Sequence, residues 1–197
     1  MLSFVYFILF SVHAFALTPL VYSNGLTDSS KPAISGNHKS NYVEMKLPFE
    51  PAQELRLRLE DRLGSPLKNR GEAHVTVITP VEFAVLKPVM SLDEIAELAN
   101  SQMPSRHRAK PICVGEGRAT VDGNLEKTYF VVLSAPSLLR VRQAIAKEFI
   151  AKGGRSDAFI PDDFYPHVTL GFTKRDLFES DGVIKDEKTC VYSLRLR

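Results

Sequence analysis

An α+β fold with antiparallel sheets is predicted by three features of this 197-residue chain. Segments with helical apolar spacing are interleaved with short β-branched runs. Two of those runs flank Asp122-Gly123, a pair suited to a tight hairpin turn. No glycine-rich loop of the P-loop or dinucleotide type follows a strand, which argues against nucleoside-triphosphate chemistry. The length fits one domain or two small lobes sharing a core. Lys plus Arg at 25 against Asp plus Glu at 23 leaves +2, too little for a nonspecific nucleic-acid coat yet compatible with a small anionic substrate.

Residues 2–12 are almost entirely apolar, and Ala14-Phe15-Ala16 has the small-residue spacing of a signal-peptidase site. A signal peptide over 1–16 is therefore expected, with export into the secretory pathway and no stable membrane anchor after cleavage. Residues 17–40 are rich in Ser, Gly, Asn, Thr, Pro and Lys without an apolar period, so they are expected to form a flexible leader. The folded domain is then expected over 41–197.

Residues 41–47 alternate apolar and polar side chains and predict a strand. Leu55, Leu59 and Leu63 repeat every four positions, with Glu54 able to pair with Arg58, which predicts a helix over 52–63 closed by Gly64. The run Val75, Thr76, Val77, Ile78, bounded by Gly71 and Pro80, predicts a strand over 73–79. Ser91-Leu92-Asp93-Glu94 is a capping box that opens a helix stopped by Pro104. Two strands, 111–121 and 126–134, flank the hairpin turn. A helix over 137–152 follows, with Leu138, Val141, Ile145 and Phe149 on its core face and Gly153-Gly154 as its stop. Strands over 167–172 and 190–196 finish the order βαβ(α)ββαββ.

Two of the five histidines open nearly the same phrase: His74-Val75-Thr76-Val77 and His167-Val168-Thr169-Leu170. Side chains alternate faces along a strand, so each phrase offers an imidazole and a hydroxyl on one side and two aliphatics on the other. Two copies in a small chain suggest a duplicated unit whose copies face across a cleft. With pKa values near 6.5, one imidazole can take a proton from water while the other donates to a leaving oxygen. Thr76 and Thr169 can donate to phosphoryl oxygens as charge develops. Which histidine is acid and which is base stays open. No metal or other cofactor is expected, because no carboxylate or thiolate is read beside either histidine to complete a shell.

The paired phrases resemble the defining signature of the two-histidine (2H) phosphoesterases, a pair of His-x-Thr/Ser motifs. The longer phrases Glu72-Ala-His-Val-Thr-Val-Ile-Thr-Pro80 and Tyr165-Pro-His-Val-Thr-Leu-Gly-Phe172 look most like its Swiss Army Knife, RNA repair-like branch. The resemblance implies two pseudo-symmetric lobes of antiparallel sheet backed by helices, with His74, Thr76, His167 and Thr169 lining the groove between them. It also implies metal-independent action on 2′,3′-cyclic phosphates, 2′,5′ linkages or related nucleotide or RNA phosphodiesters. The expected partner is a nucleotide or RNA end carrying a cyclic phosphate, bound by a monomer. A binding module that uses the same cleft without chemistry is the alternative.

Other candidates remain open at this level. Tyr129, Phe130, Phe164, Tyr165 and Phe172 could stack a base or fill the core. Lys127 and Arg118 could touch phosphate or be solvated edge cations. Glu82 could orient a histidine or a ribose hydroxyl, or simply start a helix. His13, His38 and His107 do not look catalytic, and the basic loop at 105–110 reads as a solubility feature. Cys113 and Cys190 lack Cys-x-x-Cys spacing and could form one bridge or remain two buried thiols.

Overall fold

The computed structural model describes residues 18–29, 33–104 and 107–197, so the expected signal peptide lies outside the described residues, as does the start of the basic loop. The chain runs β1 (Leu20–Tyr22), β2 (Asp28–Ser29), β3 (Ile34–Asn37), β4 (Tyr42–Leu47), α1 (Phe49–Leu63), β5 (Ala73–Ile78), α2 (Pro80–Leu86), α3 (Leu92–Gln102), β6 (His107–Arg108), β7 (Lys110–Val121), β8 (Asn124–Ser134), α4 (Pro136–Ala151), β9 (His167–Phe172) and β10 (Cys190–Leu196). One sheet has the order β3-β4-β5, a second the order β1-β10-β7-β8-β9, and β2 pairs with β6. Among the described residues every pairing is antiparallel except β1 with β10. This is the expected α+β architecture, with lobes of unequal strand number.

The helices form where apolar spacing and caps agree. In α1, Leu55 and Leu59 are fully buried, a contribution of about 1.5–3 kcal/mol each. Gly64 closes that helix at φ 65°, a conformation that costs glycine little. Thr79 caps α2 with Glu82 as its reciprocal partner, a capping box that the sequence displays and that the expected order of elements omits. Ser91 and Glu94 cap α3 as expected. α1 packs on β1 and β9, whereas α3 packs on β3, β4 and α4, and α4 also reaches β5. Asp122 and Gly123 both take positive φ, 51° and 77°, as a hairpin turn of the I′ kind requires.

The expected flexible leader is corrected over its described part. β1 pairs with β10 through Leu20 and Leu194, and β3 pairs with β4 through Ile34 and Met45. Leu20, Leu26 and Ile34 are buried, and the Asn100 side chain both accepts from the Ile34 amide and donates to its carbonyl. Arg62 donates to the Thr18 carbonyl. Leu20-Val21-Tyr22 is a run of only three, and Leu26 and Ile34 stand apart from it, so no local period marks the segment and partners distant in sequence reveal it. The domain therefore begins before residue 41.

β5 is an edge strand of the smaller sheet and β9 an edge strand of the larger one, and the two lie side by side. Ala73, Val75 and Val77 on β5 and Val168 and Leu170 on β9 are buried in one shared core. No helix among the described residues is long and apolar enough to cross a membrane.

Candidate active site

The alternation of β5 leaves His74 and Thr76 partly exposed on one face, and that of β9 does the same for His167 and Thr169. Register places Lys46 opposite His74 and Glu44 opposite Thr76 on β4. Glu44 is almost wholly buried, and its Oε2 accepts from the Tyr42 hydroxyl at 3.0 Å, which in turn accepts from Asn37 Nδ2. Burial, then Glu44, pushes the Tyr42 phenol up to about 12, so it stays a donor.

His74 Nδ1 lies 3.4 Å from Glu44 and 3.6 Å from Glu72 and makes no hydrogen bond among the described residues. Burial pulls its pKa below the ordinary value, while Glu44 and Glu72 resist that pull. The expectation that no carboxylate stands beside either histidine is therefore wrong. β4 brings Glu44 across the sheet, and Glu72 shares the face of His74 two residues away. Glu44, Glu72 and His74 offer three atoms within 4.8 Å of one another, close enough to share a cation, and the two carboxylates partly offset the effect of burial on the imidazole. A cavity of about 270 Å³ opens here, lined by Lys46, Phe49, Gly71 and these three residues.

The second phrase is built differently. His167 Nδ1 sits 2.8 Å from the Tyr165 carbonyl, which can only accept, so Nδ1 carries the proton and Nε2 presents a lone pair. Burial, and then the nearby Lys185 ammonium, pushes this imidazole down to about 3. Phe130 packs edge-on to the ring at 5.8 Å. Thr169 Oγ1 donates to Asp176 Oδ2 at 3.2 Å, and Lys185 Nζ lies 2.9 Å from the other carboxylate oxygen. Burial would raise the Asp176 pKa, but Lys185 and the Thr128 hydroxyl at 2.7 Å outweigh it and hold the group below the usual range.

A model of the family described as Swiss Army Knife, 2H phosphoesterase domain, matches residues 41–178, which include both His-x-Thr phrases. The chain belongs to the 2H phosphoesterases, in their Swiss Army Knife branch. Comparison with curated proteins and with solved structures returns no match. A phosphoesterase is thus the activity class of this 2H domain.

The remaining sequence candidates sort differently in the 2H domain. Tyr129, Phe130 and Phe172 are buried, and Phe164 packs under the Arg142 guanidinium at 4.8 Å, so these rings are core. Tyr165 is half-buried and contributes its carbonyl. Lys127 and Arg118 both meet Glu116, which also accepts from the Tyr129 hydroxyl at 2.5 Å. Glu82 orients neither histidine; it pairs with Arg142 at 2.6 Å. Arg142 also donates to the carbonyls of Val77, Pro161 and Asp163, tying the end of β5 to the segment that leads into β9. His38 is exposed and pairs with Asp93. Sequence reasoning missed Glu44, Tyr42, Asp176 and Lys185. Glu44 and Tyr42 carried a weak signal as polar or amphipathic residues in an apolar strand, whereas Asp176 and Lys185 carried none.

Proposed function

We propose that this 2H domain is a metal-independent phosphodiesterase acting on 2′,3′-cyclic phosphate or 2′,5′-type nucleotide or RNA phosphodiesters. The observation that carries the reading is the pair of His-x-Thr rows on adjacent edge strands of two sheets. Nε2 of His167, neutral and oriented by the Tyr165 carbonyl, takes the proton of an attacking water. The water oxygen bonds to phosphorus as the bond from phosphorus to the ribose oxygen breaks. His74, whose proton Glu44 and Glu72 support against the pull of burial, donates to the departing oxygen, and the two imidazoles exchange protons with solvent to reset. Thr76 and Thr169 donate to the nonbridging oxygens. Export to an oxidising compartment is part of the same proposal. It is supported by the apolar N-terminal pattern and by the Cys113–Cys190 disulfide, a bond that persists outside reducing cytosol.

The test is incubation of the purified protein with 2′,3′-cyclic nucleotides and a cyclic-phosphate-ended oligonucleotide, with and without EDTA, the products resolved by phosphorus NMR. His74→Ala and His167→Ala are each expected to lower turnover by about 10²–10⁴-fold with chelator-resistant wild-type activity. Undiminished hydrolysis in both variants would overturn the mechanism, and tight cyclic-nucleotide binding without product would favour a binding module.

A further inference from the structure

The segment between β9 and β10 carries a lysine that no motif marks and that lies beyond the residues matched by the family model. Lys185 is 5% exposed, a rare state for this side chain. Its Nζ lies 2.9 Å from Asp176 Oδ1, 3.5 Å from Thr169 Oγ1, and 5.5 Å from the ring centres of both Phe130 and Phe178. The segment is seated closely against β7: a Cβ at Gly117 would collide with Val183, so glycine is what allows the approach. The Cys113–Cys190 bond fastens the far end of the segment to the same strand.

We propose that Lys185 is a positioning residue of the second half-site, fixing the Thr169 hydroxyl with Asp176 and setting a positive charge against His167 through the shared Phe130 ring. This rests on the reading that His167 is the proton acceptor. Lys185 reaches the Thr169 oxygen at 3.5 Å, and the Thr169 proton, held by Asp176 in the free protein, can turn to a phosphoryl oxygen. The ammonium also opposes a premature proton on His167 before substrate arrives, since like charges disfavour one another at short range. The charged groups facing His167 are Lys185 and Asp176 from this segment and His74 from β5, with the Tyr165 carbonyl at Nδ1. Arg70 and Glu179 in turn face Lys185, with opposite signs.

The test is proton NMR titration of the His167 ring, assigned by its loss in His167→Gln, in the full chain without substrate. Lys185→Met is expected to raise the His167 midpoint by about one pH unit or more, and Lys185→Arg to return it toward the wild-type value. Packing loss alone would move Arg at least as far as Met. If Lys185→Met fails to fold, the double variant Asp176→Asn with Lys185→Met leaves no orphaned charge. It is expected to raise the midpoint in the same direction by less. A midpoint that stays in place in the folded Met or double variant, or that moves equally in Arg and Met, overturns the inference. The titration needs no turnover, so an inactive wild type would remove the phosphodiesterase reading while leaving this result intact.

Discussion

The two His-x-Thr phrases occupy equivalent places, each on an edge strand with its imidazole and hydroxyl on one face, yet their charged surroundings differ. Around His74 stand Glu44 and Glu72, with Nδ1 lacking a hydrogen bond among the described residues and a cavity alongside. Around His167 stand a carbonyl that fixes the tautomer, a buried lysine, and an aspartate that holds the neighbouring threonine. The repeated residues place two like groups; the unrepeated neighbours set two carboxylates beside one imidazole and a carbonyl and an ammonium near the other. The second half-site is also the more tightly bonded of the two.

That contrast is most exposed to a stability comparison. Asp176→Ala leaves Lys185 buried without its counter-charge and is expected to cost about 3–5 kcal/mol in urea unfolding. Glu72→Ala, at a side chain that is 45% exposed, is expected to stay within about 0.5 kcal/mol. Equal losses at the two positions would erase the difference in rigidity.

The disulfide sharpens the same comparison. It joins β7 to β10 over a separation of 77 residues and closes the segment that carries Asp176 and Lys185. Cys113→Ser with Cys190→Ser is expected to lower stability by about 2–4 kcal/mol. Amide exchange should accelerate more over residues 173–189 than over β4 and β5. Uniform acceleration would show that the bond supports the whole fold and not this half-site.

The smallest effect is read from pH. Both histidines have folded pKa values below their unfolded ones, so below about pH 6.5 the unfolded chain takes up protons that the folded chain refuses. The stability contribution is complete above that pH and falls as pH drops towards the folded values. The slope is at most about 1.4 kcal/mol per pH unit for each histidine. His167→Gln should flatten urea-derived stability between pH 6 and 4.5 more than His74→Gln does. The reverse order would move the stronger depression to the first half-site.

Much of the frame was legible because it depends on short-range periodicity. The strand pattern around His74 and His167, the Gly64 stop, the Ser91 cap and the Asp122-Gly123 turn all follow from residues within four positions of one another. The exceptions have physical causes. Leu20, Leu26 and Ile34 are buried by strands far along the chain, so the segment read as a leader lacked any local signature. Glu82 starts α2, one of the two readings left open for it, but its partner Arg142 lies sixty residues away on α4. The state of Cys113 and Cys190 depended on β10 pairing with β7, which puts their Cα atoms 5.7 Å apart.

From residue order alone came the α+β architecture, the paired His-x-Thr strands and the resemblance to 2H phosphoesterases, because alternation on a strand is a property of the backbone. Tertiary structure alone decided what each histidine faces. Glu44 arrives by register across β4, and Asp176 and Lys185 arrive from a segment folded back over β7. Charge acts through space, so the neighbours that settle a proton's position need not be neighbours in sequence.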